Sequence, residues 1–461
     1  MKLTFYGGAK AVTGANYLLE VKDSSKKDGV RRIIIDCGLT QGASFCQQCN
    51  WDPFGYDPSE VDEVFITHAH IDHSGRLPKL FKDGFKGKVY STPPTREFAE
   101  PLLLDSQHIL SMDAESHKLP LLYSPEDVYG LMDLWEGIPY HKTLKLGGSL
   151  EEPAVKVTLY SAGHILGSAS ILIEAEGKKI LFSGDLGNDP SPLIGSSEAP
   201  DSPDYCLIES AYGDRVHEDL PNREAKLEEA VKESVAKGGV LMIPAFAMER
   251  TQILILKLKQ MLEKHKLPLV PIFIDSPLAI KLTQVYNLFP QYFKPELIEK
   301  YGTLERMFKF PGLHMTMTTE DSKAINLASN PKIIIAGSGM SQGGRILHHE
   351  KRYLSDPRST LLIFGYQVEG SLGRRLLDGV SPVRIHHEDV VVRARIKAIG
   401  AYSAHADQTQ LLNWIKPIKR KLKKVWVVQG EESASKALAE KLINELGVHA
   451  EVPVTGLVVE L

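Results

Sequence analysis

Three histidines and an aspartate stand within six residues of one another in the run Thr67-His68-Ala69-His70-Ile71-Asp72-His73. Imidazole nitrogens and a carboxylate at that density suit a divalent metal of zinc type. The run follows directly on an apolar stretch, 61–66, that reads as a strand. His68 and His70 are two apart, so on extended backbone both rings point to one side. Asp72 and His73 lie where the chain turns, and can face a second metal beside the first. A solvated histidine cluster is the plain alternative, but surface loops rarely combine this spacing with a strand end.

Six residues cannot enclose two metals, so further ligands are expected at other strand ends. Ser161-Ala162-Gly163-His164 follows the apolar stretch 155–160, and Ser183-Gly184-Asp185 follows 179–182. In each, small residues let the backbone approach and one ligand-type side chain projects at the end. His164 taken alone reads as structural. Taken with His68 and Asp185 it reads as a ligand.

The elements that must position these residues have two textures. Up to about residue 210, short apolar runs predict strands over 32–37, 61–67, 155–160, 170–174, 179–183 and 204–208, with helices over 96–110 and 124–135. From about 211, helices over 224–237 and 251–265 alternate with continuous apolar strands over 240–246, 271–275, 332–336 and 360–364. That alternation predicts a parallel α/β sheet. The first texture then returns, with strands over 391–399 and 424–429 and a helix over 433–446 closed by Gly447. The expected division is 1–210, an α/β domain at 211–372, and 373–461.

The 461 residues predict more than one domain, and 43% apolar with 24% charged residues describes a soluble globular chain. A net charge of -4 excludes a histone-like protein but not a local basic groove. No stretch approaches the roughly 18–20 apolar residues that cross a bilayer. The start, Met-Lys leading into Gly7-Gly8-Ala9-Lys10, does not read as a signal peptide, and the expected location is cytoplasmic. Four cysteines give no disulfide framework, so Cys46 and Cys49 are expected as reduced thiols in a loop. Six basic residues crowd Lys416 to Lys424. They read as a solvated helix surface, with a nucleic-acid backbone contact as the alternative.

The run H-x-H-x-D-H, the distant histidine in Ala162-Gly163-His164-Ile165-Leu166-Gly167-Ser168 and the aspartate in Phe182-Ser183-Gly184-Asp185-Leu186-Gly187 resemble the metallo-β-lactamase fold. Asp36, in Ile34-Ile35-Asp36-Cys37-Gly38-Leu39, matches that family's first motif. Later motifs narrow the likeness to the β-CASP branch. Glu209 in Leu207-Ile208-Glu209-Ser210-Ala211-Tyr212-Gly213-Asp214-Arg215 matches its acidic motif A, and His405 in Tyr402-Ser403-Ala404-His405-Ala406-Asp407 matches motif B. Phe246 to Gln252, Gly337-Ser338-Gly339-Met340 with Gly343-Gly344-Arg345 and His348-His349, and Gly365-Tyr366-Gln367-Val368-Glu369-Gly370 are also similar to this branch. The likeness covers essentially the whole chain and runs to the RNA-processing members.

The resemblance implies an α/β architecture: an αββα metallo-β-lactamase sandwich built from both chain termini, with an inserted β-CASP domain and the metals in a cleft between the two. It implies a ribonuclease dependent on two zinc ions, acting on single-stranded RNA as an endonuclease, with 5′-exonuclease action as an extension. His68, His70 and His164 would hold one zinc, Asp72 and His73 the other, and Asp185 would bridge. A metal-bound hydroxide would attack phosphorus, leaving 5′-phosphate and 3′-hydroxyl ends. Asp36 would orient ligands or the hydroxide. His405 would protonate the leaving oxygen, held in its charged form by Glu209. Ser338, Gly339 and Met340 would offer backbone N–H groups to phosphate, Arg345 would clamp a neighbouring one, and His348 and His349 are candidates to line the same groove.

One position departs from the pattern. The RNA-cutting members carry a histidine at motif C, as the last ligand of the second metal, where this chain reads Val427-Val428-Gln429-Gly430-Glu431. Gln429 is therefore a doubtful ligand, and the second site is expected to be weaker or open to a harder divalent ion. DNA-cutting members also lack that histidine. A DNA or dual-specificity nuclease is thus the first alternative, ahead of a non-catalytic RNA-binding scaffold and a small-ester hydrolase. The apolar segment 454–461 is a candidate for pairing with a second copy as a homodimer.

Overall fold

The computed structural model describes residues 1–41, 47–149, 151–217, 222–365, 367–368 and 370–461. Two compact units emerge: Met1–Val216 with His405–Leu461, and His217–Ala404.

The first unit holds two seven-stranded sheets among its described residues. One runs Val458–Glu460, Lys2–Phe5, Asn16–Lys22, Val30–Cys37, Glu63–Phe65, Lys88–Ser91, Trp135–Gly137. The other runs Ala450–Glu451, Lys424–Val428, Tyr205–Glu209, Lys178–Phe182, Ala169–Ala175, Val155–Ser161, Thr143–Leu146. Successive strand residues point to opposite faces, and each sheet uses both. Tyr17, Leu19, Ile33 and Ile35 join Val157, Ile171, Leu207 and Trp426 in one buried cluster between the sheets. Their neighbours Leu18, Ile34 and Val64 pack outward with the helix residues Leu80, Leu103 and Leu131. On the far side Leu181, Cys206 and Val425 pack with Leu411, Ile415, Leu438 and Leu442. The result is the expected αββα layering, in which each fully buried aliphatic side chain contributes about 1.5–3 kcal/mol.

Both chain ends complete this unit. Val458–Glu460 pairs antiparallel with Lys2–Phe5, and Lys424–Val428 pairs parallel with Tyr205–Glu209. The edge strand Val458–Glu460 is three residues long. Short edges resist pairing, and three residues bury far less than the roughly 1,000 Å² a stable interface needs. This edge therefore does not support the expected homodimer. No described helix is long and apolar enough to cross a membrane.

The second unit contains a six-stranded sheet ordered Leu313–Met315, Ile272–Ile274, Lys332–Ala336, Val240–Pro244, Thr360–Phe364, Arg395–Ile399. Every pairing in it is parallel. The strands Val240–Pro244, Lys332–Ala336 and Thr360–Phe364 are buried throughout, as a sheet covered on both faces requires. Even Lys332 is buried, its ammonium donating to the carbonyls of Ile325 and Ala328 at 2.7 and 2.9 Å. The boundary expected at 372 moves to 404. Arg395–Ile399 pairs with Thr360–Phe364, so residues 373–404 finish this sheet and do not return to the first unit. Cys49 is disulfide-bonded, against the expected reduced thiol, and Cys46 lies outside the described residues, as do Tyr366 and Glu369.

Candidate metal centre and active site

Six strands or their extensions end at one place. Val30–Cys37 brings Asp36, Glu63–Phe65 leads to His68–His73, Val155–Ser161 leads to His164, Lys178–Phe182 to Asp185, Tyr205–Glu209 ends on Glu209, and Lys424–Val428 leads to Gln429. The loops interlock closely. A β-carbon at Gly38 would lie 1.6 Å from the carbonyl oxygen of Asp72, and one at Gly187 would lie 1.8 Å from that of Gly163. Only glycine fits at either position.

Four ligand atoms converge first. His68 Nε2 lies 3.0 Å from His70 Nδ1, and His164 Nε2 lies 3.3 Å from that same atom. Asp185 Oδ2 lies 3.5 Å from His68 Nε2 and 3.7 Å from His164 Nε2. Four donors each about 2.0–2.1 Å from a tetrahedral zinc stand about 3.3 Å apart, so this set fits such an ion. Burial and the neighbouring His73 hold His68 well below its ordinary range, which leaves a neutral ring with a lone pair to offer. Asp185 is pushed up by burial but pulled further down by His73, His68 and His405, so it remains a carboxylate.

A second group adjoins. Asp185 turns its other oxygen, Oδ1, to within 3.3 Å of His73 Nε2, and Asp72 Oδ2 is 3.8 Å from that nitrogen. His73 Nδ1 donates to Asp36 Oδ2 at 2.8 Å, which directs Nε2 into the site. Asp36 is itself fixed by the Thr67 N–H at 2.8 Å and the Thr67 hydroxyl at 2.8 Å. Burial pulls the His73 ring down, but the carboxylates Asp185, Asp36 and Asp72 raise it well above its ordinary value. Three acids around one imidazole make this corner a place that favours positive charge. Gln429, at φ 50 with its N–H on the Gly8 carbonyl, sets its amide Nε2 2.9 Å from His73 Nε2. It thus faces the same corner.

His405 completes the constellation. Its Nδ1 lies 3.4 Å from Glu209 Oε1 and 3.8 Å from Asp185 Oδ2. Glu209, fully buried, also accepts the N–H groups of Leu186 at 2.7 Å and Ala211 at 3.2 Å. Burial lowers His405, but Glu209 and then Asp185 outweigh it and raise the ring to about 9. Asp185, Glu209 and His405 form a further group able to share a cation. The walls are closed, with the His68, His73 and His164 side chains at 0% exposure, whereas Asp72 at 20% and His405 at 27% line the open side.

The structure thus brings together His68, His70, Asp72, His73, His164, Asp185, Asp36, Glu209, His405 and Gln429. Thr67 was missed as a positioning residue; its place in the histidine run was the available signal. Ser338, Gly339, Met340 and Arg345 belong to the second unit. Ser338 accepts the Gln342 N–H, and the carbonyls of Gly339 and Met340 accept from Gln367 and the Gly373 N–H. Arg345 departs from the expected phosphate clamp. It donates to Asp275 at 2.8 Å and to the carbonyls of Thr316 and Met317 at 3.1 and 3.0 Å. His349 turns inward to the same Asp275, at 2.7 Å, while His348 stacks on His386. Asp275 is a buried carboxylate that needs these donors, which is why they turn inward.

Three family models match the chain: the metallo-beta-lactamase superfamily over residues 27–205, the Beta-Casp domain over 251–376, and the Zn-dependent metallo-hydrolase RNA specificity domain over 389–453. A relative named Ribonuclease TTHA0252, from Thermus thermophilus, is 38% identical over 444 residues, covering 96% of each chain. An RNase J-like protein of Methanocaldococcus jannaschii is 30% identical over 470 residues, covering 100% of this chain and 99% of the relative. A solved structure of a protein of unknown function from Enterococcus faecalis shares the fold with TM-score 0.57 at 11% identity, covering 100% of this chain and 99% of that one.

Proposed function

Because the chain belongs to the β-CASP branch of the metallo-β-lactamase superfamily, a family of metallo-hydrolases with ribonuclease relatives, we propose that it hydrolyses phosphodiester bonds of single-stranded RNA and leaves 5′-phosphate and 3′-hydroxyl ends. The observation that carries this reading is Asp185, whose Oδ2 faces the nitrogens of His68 and His164 and whose Oδ1 faces His73 Nε2, beside the Asp72 carboxylate. His68, His70 and His164 would hold one zinc, and Asp72 and His73 a second divalent ion, with Asp185 shared between them. Bound there, the ions supply Lewis-acid charge for the phosphodiester and lower the pKa of a water.

The chain's own residues do the rest. Asp36 and Thr67 lock the His73 tautomer, so Nε2 is always the inward atom. Glu209 faces His405 Nδ1, which leaves Nε2 to deliver a proton to the departing 3′ oxygen. Exposure of Asp72 and His405 gives the strand its approach, while the closed walls keep His68, His73 and His164 dry. Endonucleolytic cleavage is the primary action, with 5′-exonuclease action on the same centre.

The test is a metal-replete cleavage assay on one 5′-labelled RNA and its DNA counterpart. Products from RNA alone are expected. Cleavage of DNA alone would replace the reading with a DNA nuclease, and binding without cleavage would replace it with a scaffold.

Gln429 gives a separate expectation. An amide oxygen is a poorer zinc ligand than an imidazole nitrogen. The group around His73 should therefore be less fully occupied than the group around His68. Fewer than two zinc ions per chain are expected without added metal, with activity rising as zinc or manganese is supplied. Gln429→His should raise metal content toward two and reduce that dependence. Metal analysis of both proteins decides: two firmly held zinc ions in each would remove any special role for Gln429.

A further inference from the structure

The helix Gln408–Ile415 begins three residues after His405, and its segment is tied to the active site by the Ala406 N–H on the Leu186 carbonyl at 2.7 Å. Eight residues at 1.5 Å each carry the chain about 12 Å from that point. There it enters the turn 416–421, where Lys416, Lys419, Arg420 and Lys421 are all exposed. Two nearby lysines are neutralised, Lys423 by Asp204 at 3.0 Å and Lys424 by Glu451 at 2.8 Å. Among the described residues, no carboxylate lies within ion-pair distance of the other four. A helix C-terminus accounts for one or two cations in its last turn, not for four beyond it.

Apart from the exposed Pro417, the apolar side chains of this segment turn inward. Ile418 is 3% exposed, Leu422 packs on the core, and Trp414 is buried with its indole N–H on the Glu198 carbonyl. The surface is therefore cationic, with Pro417 as the exposed apolar side chain of the turn. Amphipathic membrane-binding helices need an apolar face, and protein interfaces are depleted in lysine at their cores. A phosphate backbone needs neither apolar contact nor fixed geometry.

We propose that the turn 416–421 is a landing surface for the RNA backbone, receiving phosphates of the strand whose scissile bond lies at His405. The inference rests on the RNA reading of the active site. It assigns to Lys416, Lys419, Arg420 and Lys421 a share of the affinity for long RNA, and none for a substrate too short to reach them.

The experiment compares the full chain with the combined variant Lys416→Ser, Lys419→Ser, Arg420→Ser, Lys421→Ser. All four positions are exposed, so folding should persist, and circular dichroism with zinc content checks it. Affinity for a 30-nucleotide single-stranded RNA is measured across salt concentrations, beside turnover of bis(p-nitrophenyl) phosphate. Releasing about three phosphate contacts should make the log–log salt slope shallower by about 2 and weaken binding by about 10²-fold at 0.1 M salt. Turnover of the small diester should not change. Steep RNA binding by the wild type that is equal in the variant would overturn this inference and leave the active-site reading standing. A wild type whose RNA affinity is flat with salt would overturn both. Binding to acidic phospholipid vesicles that is lost in the variant, with RNA binding unchanged, would replace RNA with a membrane as the partner.

Discussion

Asp185→Ala is expected to lower RNA cleavage by about 10³-fold or more and to deplete zinc, while the fold of its unit persists. The carboxylate faces both donor groups, Oδ2 toward His68 and His164 and Oδ1 toward His73, so its loss weakens both. Metal ions contribute several kcal/mol of charge stabilisation to such a reaction, and each 1.36 kcal/mol is tenfold in rate. The loop itself does not depend on that side chain. Ser183 N–H bonds the Leu207 carbonyl at 3.0 Å and Gly187 N–H bonds the Ala162 carbonyl at 2.9 Å. His68→Ala should deplete the first group selectively. Cleavage at the wild-type rate in either variant, with circular dichroism unchanged, would sink the assignment of a shared carboxylate between two metals.

His405→Ala is expected to slow cleavage by roughly 10²–10⁴-fold, the usual contribution of a general acid, with zinc content unchanged. Against burial, Glu209 and Asp185 raise the ring to about 9, which would bring it charged to the proposed reaction. The rate of the wild type should then fall on the alkaline side as His405 gives up that proton, and this limb should disappear in the variant. The competing possibility is concrete, since Asp185, Glu209 and His405 are close enough to hold a cation themselves. Zinc lost along with activity in His405→Ala would make His405 a ligand and leave the leaving group without an assigned acid.

The legible parts of this molecule were those written in local pattern. Continuous apolar runs at 32–37 and 204–208 specified strands buried on both faces, and Ile33, Ile34 and Ile35 do divide between two cores. The histidine run announced its chemistry because metal-binding spacing is sequential. His164 and Asp185 were readable from small residues at strand ends. Glu209 and His405 were not readable from spacing at all, since 196 residues separate them. Only resemblance paired them.

Arg345 shows the opposite failure. A cation after a glycine-rich turn looks like a phosphate clamp until the buried Asp275, seventy positions earlier, is seen to need donors. The boundary at 404 was hidden for a related reason. A strand's texture does not say which sheet it joins, and Arg395–Ile399 joined the strand Thr360–Phe364 before it and not the strands after it. Gln429 could be placed by pattern, but its amide beside His73 Nε2 is a matter of three-dimensional register.

That strand Lys424–Val428 lies against Tyr205–Glu209 has a consequence for how the protein is made. Ribosomes add about 5–20 residues per second, so Glu209 emerges about 10–40 s before His405, the residue it must hold 196 positions later. During that interval the nascent chain already carries the histidine run, His164 and Asp185, and Tyr205–Glu209 can pair with Lys178–Phe182, but its other side lacks the strand Lys424–Val428 and His405 is still to come. An unfinished chain therefore lacks the Glu209–His405 pair until its last segment has been made.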